Sequence, residues 1–250
     1  MTQTLPPAEI VLVKDGPLTE PLEGELTTWK ERIGDRLRIL TLEENVGLGK
    51  SLQYGLECCT CEIVARTDTD DICLEDRFEQ QMKFMDSHPD VHVVGSWIAE
   101  FEKDINNIVA QRKVPVSHDK IVQYARFRNP MNHPTVMFRK TAVLSCGGFL
   151  PFPYLEDYYL WVRMILAGKR FANIPKNLLL FNVRHGTFAR RGGTAYLMNE
   201  IKLQRYFLET GFISLPIFLF NVSAKSFVRL LPSQARKTVY RSLLRKRIHL

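Results

Sequence analysis

The sequence predicts an α/β fold, a mostly parallel sheet with helices on both faces, followed by a helical, basic C-terminal tail. Short runs rich in β-branched residues alternate with segments whose apolar residues recur at helical spacing. Hydrophobic residues make up 45% and charged residues 24% of 250 positions, as in ordinary globular domains. Acidic residues directly follow two of the strand-like runs. In such sheets, ligands bind at the carboxyl ends of the strands.

Three predicted strands, each followed by a predicted helix, occupy the first third of the chain. The strands span residues 9–14, 37–41 and 63–66, and the first ends in the turn Asp15-Gly16-Pro17. Helical spacing covers residues 22–33, a segment that ends near residue 59, and residues 75–88. Because strands and helices alternate, we expect parallel pairing of these strands.

The second part of the chain is predicted to continue with strands at 91–100 and 135–138 and a helix at 118–127. A loop containing Gly147-Gly148 and two prolines leads into a helix at 155–167, which opens on Glu156-Asp157. Trp97, Tyr158 and Trp161 could stack on a ligand, yet aromatic residues at these spacings more often belong to the core, which we predict for all three. A glycine- and arginine-rich loop then predicts a boundary near Gly193, which divides residues 1–193 from a C-terminal segment at 194–250.

The basic charge of the protein is confined to its tail. The formal net charge is +7, yet residues 200–250 carry ten Lys or Arg against two Glu, so the preceding body is close to neutral. A nucleic-acid-binding core is therefore not supported.

Other compositional signals argue against a zinc protein and a secreted protein. Cys58, Cys59 and Cys61 lack a second cysteine pair or a nearby His, and buried thiols are the better interpretation. The first residues show no secretory signal, so we expect a cytoplasmic protein. No uninterrupted apolar run reaches the roughly 18 residues of a spanning helix.

Carboxylates after the third predicted strand are the strongest chemical signal. Oxygen ligands at Asp68 and Asp70 suit Mg²⁺ or Mn²⁺, which complete their shells with substrate phosphates. Taken alone, the run equally fits the start of a helix, where acids complement the dipole. Asp15 at a neighbouring strand end and the pair Glu156-Asp157 shift the balance toward a site.

These motifs together resemble a known family. They are Val13-Lys14-Asp15-Gly16, Glu44-Asn45-Val46-Gly47-Leu48-Gly49-Lys50, Asp68-Thr69-Asp70-Asp71, His133-Pro134-Thr135 and Glu156-Asp157-Tyr158-Tyr159-Leu160-Trp161. In this order and spacing, from about residue 9 to 191, they resemble family 2 glycosyltransferases of the GT-A fold. This is a Rossmann-like fold that uses nucleotide-diphospho-sugars. The resemblance is nearest to bacterial exopolysaccharide and lipopolysaccharide transferases, including those of amylovoran biosynthesis.

The resemblance implies roles for the acidic residues. Asp15 would contact the base or ribose of the nucleotide, and Asp68 the ribose or the metal shell. Asp70 would be the principal ligand of Mn²⁺ or Mg²⁺. Asp157, beside Glu156, would be the catalytic base that deprotonates the acceptor hydroxyl, with inversion at the anomeric carbon. Helix capping is the alternative explanation of the Glu156-Asp157 pair.

Three basic residues are candidates for binding the diphosphate. Lys50 could neutralise phosphate, and a solvated lysine is an equal alternative. Arg190 and Arg191 resemble the mobile loop that closes over the diphosphate in this fold. A plain solvated basic loop explains them equally well.

The implied reaction transfers a hexose or N-acetylhexosamine, with UDP as the expected carrier, to a growing surface polysaccharide or a lipid-linked acceptor. Family members ordinarily begin with one more strand and helix, so the resemblance implies an N-terminally truncated chain. An inactive fragment or membrane-tethering module is therefore one alternative, and a nucleotidyltransferase is another.

The C-terminal tail leaves two interpretations open. Apolar residues at 212–222, followed by Lys225, Arg229 and further basic residues, suit a helix in an anionic membrane interface. That location would place the protein peripherally on the inner face of the cytoplasmic membrane. Alternatively, residues 212–231 pack on the body as an ordinary helix pair.

Overall fold

The computed structural model describes residues 2–183, 192–231 and 235 of the protein. The strands are β1 (Ile10–Asp15), β2 (Leu37–Leu42), β3 (Ile63–Ala65), β4 (Ile72–Cys73), β5 (Val91–Phe101), β6 (Ile108–Arg112), β7 (Met137–Arg139) and β8 (Arg170–Asn182). The helices are α1 (Glu20–Ile33), α2 (Leu48–Cys58), α3 (Arg77–Ser87), α4 (His118–Ala125), α5 (Lys140–Leu144), α6 (Glu156–Leu166), α7 (Thr194–Glu209) and α8 (Leu215–Leu230). Short 3-10 turns lie at Gly34–Arg36 and His133–Thr135.

The strands form two sheets. The first contains β1 and β2, which pair in parallel from Ile10 with Leu37 to Asp15 with Leu42. The second has the order β3-β7-β5-β8-β4, and β6 pairs with β5. Since β1 and β2 end in register, the loops that follow them meet at one edge. The turn at Gly16 packs there against the loop after β2, where Asp15 Oδ1 accepts a hydrogen bond from Val46 N at 2.8 Å.

Parallel pairing joins β1 to β2 and, at the centre of the larger sheet, β5 to β8. The expected parallel pairing of the first three strands is confirmed for β1 and β2, whereas β3 belongs to the larger sheet and pairs antiparallel with β7. β3 and β5 still run in the same direction, because both are antiparallel to the intervening β7. Antiparallel pairing joins β6 to β5 and β4 to β8. A short connection at 102–107 links β5 to β6, and such a connection can only close an antiparallel hairpin.

The core lies between the larger sheet and α6. Val93 of β5, Phe138 of β7 and Phe171 of β8 pack with Trp161, all at most 2% exposed. Tyr158, on the same helix, is also buried and donates its hydroxyl to the carbonyl of Ala125 at 2.6 Å. The prediction of a core position is confirmed for Tyr158 and Trp161, whereas Trp97 is only half-buried. The start of α6 is consequently anchored by large buried side chains.

The described part of the C-terminal segment packs on the body through α7 and α8. Leu203 and Phe207 of α7, with Phe212, form one cluster with Tyr158. Asn221 of α8 donates to the Arg126 carbonyl at 2.8 Å, so α8 is fixed to the body as well as to α7. One face of α8 therefore packs on the body, as the second of the two interpretations of the tail predicts.

The charges of the α7–α8 contact are buried. Glu200 of α7 is 2% exposed, and its carboxylate oxygens lie 2.7 Å from Lys225 Nζ and 3.0 Å from Arg229 Nη2. Burial opposes ionisation of Glu200, but the two cations lower its pKa below the usual range. Among the described helices, none is both long enough and apolar enough to cross a membrane.

Candidate active site

Three carboxylates converge in the loop that connects β3 to β4. Asp68, Asp70 and Asp71 are half-buried, and each offers an oxygen atom within 4.8 Å of the others. Three oxygen ligands at this spacing suit a hard divalent cation such as Mg²⁺ or Mn²⁺. The structure therefore brings together Asp68 and Asp70, as expected from the sequence, and adds Asp71 to them.

A buried arginine holds the two ends of this loop together. Arg77, the first residue of α3, is fully buried. Its Nη2 donates to the Arg66 carbonyl at 2.7 Å, and its Nη1 contacts Cys73 Sγ at 2.9 Å. Its Nε donates to Gln81, whose amide reaches the sheet through the carbonyl of Val94. The loop is thus tied to the core at both ends.

Asp71 has the most perturbed carboxyl group of the cluster. Its Oδ1 accepts a hydrogen bond from Asn182 N at 3.0 Å, whereas its Oδ2 is buried without a hydrogen-bond partner. Burial, with smaller contributions from the neighbouring charges of Asp68 and Asp70, raises the pKa of Asp71 to about 7. A buried, unsatisfied carboxylate oxygen is costly, and a bound cation would satisfy it. These residues therefore fit a divalent metal.

Arg66 links the carboxylate cluster to a second acidic group. It forms an ion pair with Asp68, opposing the rise that burial causes in the pKa of Asp68. The charge of Asp157 also raises the pKa of Asp68, and Arg66 lowers the pKa of Asp157. Asp157 and the cluster thus lie close enough to influence each other, and Arg66 acts on both.

Both carboxylate oxygens of Asp157 are held in place. Oδ2 accepts a hydrogen bond from Asn129 Nδ2 at 2.6 Å, and Oδ1 accepts one from the backbone N–H of Tyr158 at 2.7 Å. Burial raises the pKa of Asp157, and these two hydrogen bonds oppose that rise because they favour the charged form. The arrangement suits a carboxylate that must stay ionised and oriented while it accepts a proton.

Asn129 is itself fixed by the loop around it. Its Oδ1 accepts a hydrogen bond from Met131 N at 3.2 Å, which leaves its NH₂ group to face Asp157. Its carbonyl accepts a hydrogen bond from Arg112 Nη2 at 2.9 Å. Asn129 is therefore preorganised to orient Asp157, a role that the sequence alone did not reveal.

His133 packs beside Asp157 as a neutral group. Its Nδ1 lies 3.9 Å from Asp157 Oδ2, and its ring contacts Phe149 and Trp161. Burial first, and then the charge of Arg66, lowers its pKa well below the usual range. Because it is uncharged, the 3.9 Å approach is a packing contact and not an ion pair.

The other predicted site residues that the structure describes lie on β1, α2 and α6. Asp15 ends β1 and binds the backbone of Val46. Lys50 is exposed in the first turn of α2. Glu156 is buried, which raises its pKa, and it contacts α2 so closely that a Cβ at Gly49 would lie 3.0 Å from Glu156 Cγ.

The pair predicted to close over the diphosphate, Arg190 and Arg191, lies outside the described residues. The predicted boundary at Gly193 coincides with the residue that precedes α7, and the division of the chain there stays a prediction.

Comparison with known proteins gives one family. Residues 1–148 match the family model of Glycosyl transferase family 2. The chain is 40% identical over 241 residues to the amylovoran biosynthesis glycosyltransferase AmsE of Erwinia amylovora, which covers 95% of this chain and 88% of that protein. It is 36% identical over 243 residues to the Escherichia coli UDP-Gal:alpha-D-GlcNAc-diphosphoundecaprenol beta-1,3-galactosyltransferase, which covers 97% of this chain and 87% of that protein.

A solved structure shows the same fold. The mannosyltransferase PcManGT from Pyrobaculum calidifontis, in complex with GDP-Man and Mn²⁺, superposes with a TM-score of 0.63 at 18% identity. The match covers 97% of this chain and 69% of that protein. At this identity the likeness supports the architecture alone, an α/β fold of the GT-A type.

Proposed function

Starting from the fact that the chain belongs to glycosyl transferase family 2, we propose that it moves a hexose or N-acetylhexosamine from a UDP donor to a lipid-linked or growing surface saccharide. The chain is a GT-A glycosyltransferase of bacterial polysaccharide biosynthesis. The donor and acceptor rest on the E. coli relative, whose name specifies UDP-Gal and GlcNAc-diphosphoundecaprenol. The observation that carries the proposal is the convergence of Asp68, Asp70 and Asp71 near the half-buried carboxylate of Asp157.

A divalent cation, Mn²⁺ or Mg²⁺, is the proposed cofactor. Asp70 and Asp68 are the proposed ligands from the motif, and Asp71 joins them because its Oδ2 is buried without a partner. A cation held by these residues would neutralise the charge of the departing nucleoside diphosphate. Arg66 forms an ion pair with Asp68, which opposes the rise that burial causes in the pKa of Asp68 and so favours its ionised form.

Asp157 is the proposed catalytic base. It takes the proton from the acceptor hydroxyl that attacks the anomeric carbon, and direct displacement from that face inverts the configuration. General-base help of this kind is worth about 10²- to 10⁴-fold in rate. Asn129 and the Tyr158 N–H orient the carboxylate, and buried Glu156 lies beside it at the start of α6.

The remaining site residues are assigned to the donor. We place Asp15 at the nucleoside, and Lys50, Arg190 and Arg191 at the diphosphate, where Arg pairs well with phosphate oxygens. Residues 1–193 would form the catalytic domain. The protein would work in the cytoplasm, peripherally on the inner face of the membrane, where a lipid-linked acceptor is accessible.

The test is sugar transfer by the full chain and two carboxylate variants. Release of UDP from UDP-sugars is measured with Mn²⁺, for the unmodified protein, Asp70→Asn and Asp157→Asn. Both variants should lose transfer, whereas Asp86→Asn, an exposed acid in α3, should retain it. Substantial transfer by either site variant, or release of pyrophosphate in place of UDP, would overturn the assignment.

A further inference from the structure

Helix α8 presents a face without charge to the solvent. Its exposed residues are Leu215, Pro216, Leu219, Phe220, Ser223, Ala224 and Phe227. The four large apolar side chains on this face are 56–68% exposed. We call this set of seven residues the α8 outer face. Nothing within the described part of the chain covers it.

The two charged residues of α8 point the opposite way. Lys225 and Arg229 turn inward to the buried Glu200, at 2.7 and 3.0 Å, and Arg229 also stacks over Tyr196. A surface helix that only closes a core places its charges outward and its apolar stripe inward. Helix α8 shows the opposite arrangement, with its charged residues inward and apolar residues on its outer face. An exposed apolar patch of this kind marks an interaction site.

The loop that contains Asn129, which hydrogen-bonds Asp157, extends the same surface. The ring of Phe127 lies edge-on to Phe220, with centroids 6.3 Å apart, and the neighbouring Arg126 is exposed. Two residues after Phe127 comes Asn129, which binds Asp157 at 2.6 Å. The apolar surface is therefore continuous with the segment that orients the base.

We propose that the α8 outer face, together with Phe127, docks on an anionic lipid bilayer. Exposed Leu and Phe side chains suit the boundary between head groups and acyl chains. Charge complementarity supports lipid as the occupant. Arg126 adjoins the face, and residues 232–250 contain Arg236, Lys237, Arg241, Arg245, Lys246 and Arg247 without any Asp or Glu. Each basic residue near an anionic surface contributes about 1 kcal/mol.

A second copy of the chain is a poorer occupant. A second copy carries the same excess of Lys and Arg, so its charge does not complement the basic residues that adjoin and follow the α8 outer face. Docking on lipid also has a consequence for the proposed transfer, on which this part of the inference rests. It would hold Asn129 and the proposed base Asp157 near the membrane interface, where a lipid-anchored acceptor is presented.

Vesicle binding by the full chain tests the proposal. Co-sedimentation is measured with phosphatidylcholine vesicles and with vesicles in which about a third of the lipid is phosphatidylglycerol. The unmodified protein should bind the anionic vesicles. Phe220→Ser combined with Phe227→Ser should weaken binding by at least about tenfold, since both rings leave the apolar boundary. Ile105→Ser, an exposed apolar residue in the β5–β6 connection, is the matched control and should bind normally.

Several outcomes would overturn the proposal. The first is vesicle binding by the double variant that equals that of the unmodified protein, and the second is no binding by the unmodified protein. The third is concentration-dependent dimerisation that the double variant abolishes, in a protein that does not bind vesicles. Both substitutions replace exposed side chains, so an unchanged thermal unfolding midpoint separates lost docking from lost folding. The assay contains no donor sugar. A failure of the proposed transferase activity would therefore leave the binding result intact, and the two failures are distinguishable.

Discussion

Replacing Asn129 with alanine should move the acid limb of the pH–rate profile to higher pH. Asp157 must be deprotonated to act as a base, so the rate falls as the pH drops through its pKa. Burial already raises that pKa, and the hydrogen bond from Asn129 Nδ2 at 2.6 Å opposes the rise. Without this donor the carboxylate loses stabilisation while its burial remains. Its pKa therefore rises further, and protonation begins at higher pH.

The size of the shift follows from the strength of the bond. A hydrogen bond to a charged group is worth about 1.5–3 kcal/mol, and about 1.4 kcal/mol corresponds to one pKa unit. Because 16% of the Asp157 side chain is exposed to solvent, the lower end of this energy range applies to its hydrogen bond with Asn129. We expect the acid limb to move up by about one pH unit, with the Tyr158 N–H still holding the other oxygen.

The assay is the initial rate of UDP release at saturating donor, measured from acidic to alkaline pH for Asn129→Ala and for the unmodified protein. Asn106→Ala, in the exposed β5–β6 connection, serves as the control and should leave the profile unchanged. A uniform loss of rate at every pH, with the limb unmoved, would refute the reasoning. It would show that Asn129 supports the fold of its loop without tuning Asp157.

Two further predictions concern stability. Glu200→Ala should lower the free energy of unfolding by about 3 kcal/mol, measured by urea denaturation, because it removes the buried carboxylate that binds Lys225 and Arg229. A change below 1 kcal/mol would mean that solvent already compensates those cations. Gly148→Ala should cost about 1–3 kcal/mol, since φ is +63° and the new Cβ would lie 2.0 Å from Gln53 Oε1. Gly24→Ala, in α1 with open space around it, should instead stabilise the protein slightly, and equal effects of the two would contradict this account.

Local patterns in the sequence predicted much of the framework. The β-branched run at 9–14 and the aromatic motif at 155–167 correspond to β1 and α6 within one residue at each end. Both segments are dominated by short-range signals, namely strand propensity closed by a glycine turn and apolar residues at helical spacing. Asp68 and Asp70 were identified for the same reason, since the acidic run directly follows a strand.

Features that depend on contacts between residues far apart in the sequence could not be predicted from local patterns. No strand is predicted at β8, whose pairing with β5 is interrupted where Pro175 and Lys176 bulge between Ile174 and Asn177. Asn129 meets Asp157 across 28 positions of the chain, and no local pattern marks such a pair. The buried oxygen of Asp71 depends on packing against β8, and it was therefore also missed.

The buried guanidinium of Arg77 makes the carboxylate loop and α3 one cooperative unit. Its three donating nitrogens contact the carbonyl of Arg66 after β3, the thiol of Cys73 and the side chain of Gln81 in the second turn of α3. The loop cannot open locally without breaking a charge-bearing contact inside the core, so its opening free energy approaches that of α3 itself. The acidic groups are therefore kept close together by the rest of the protein despite their mutual repulsion. The repulsion between these like charges is overcome when the protein folds, so it would not have to be overcome again at each round of the proposed cation binding.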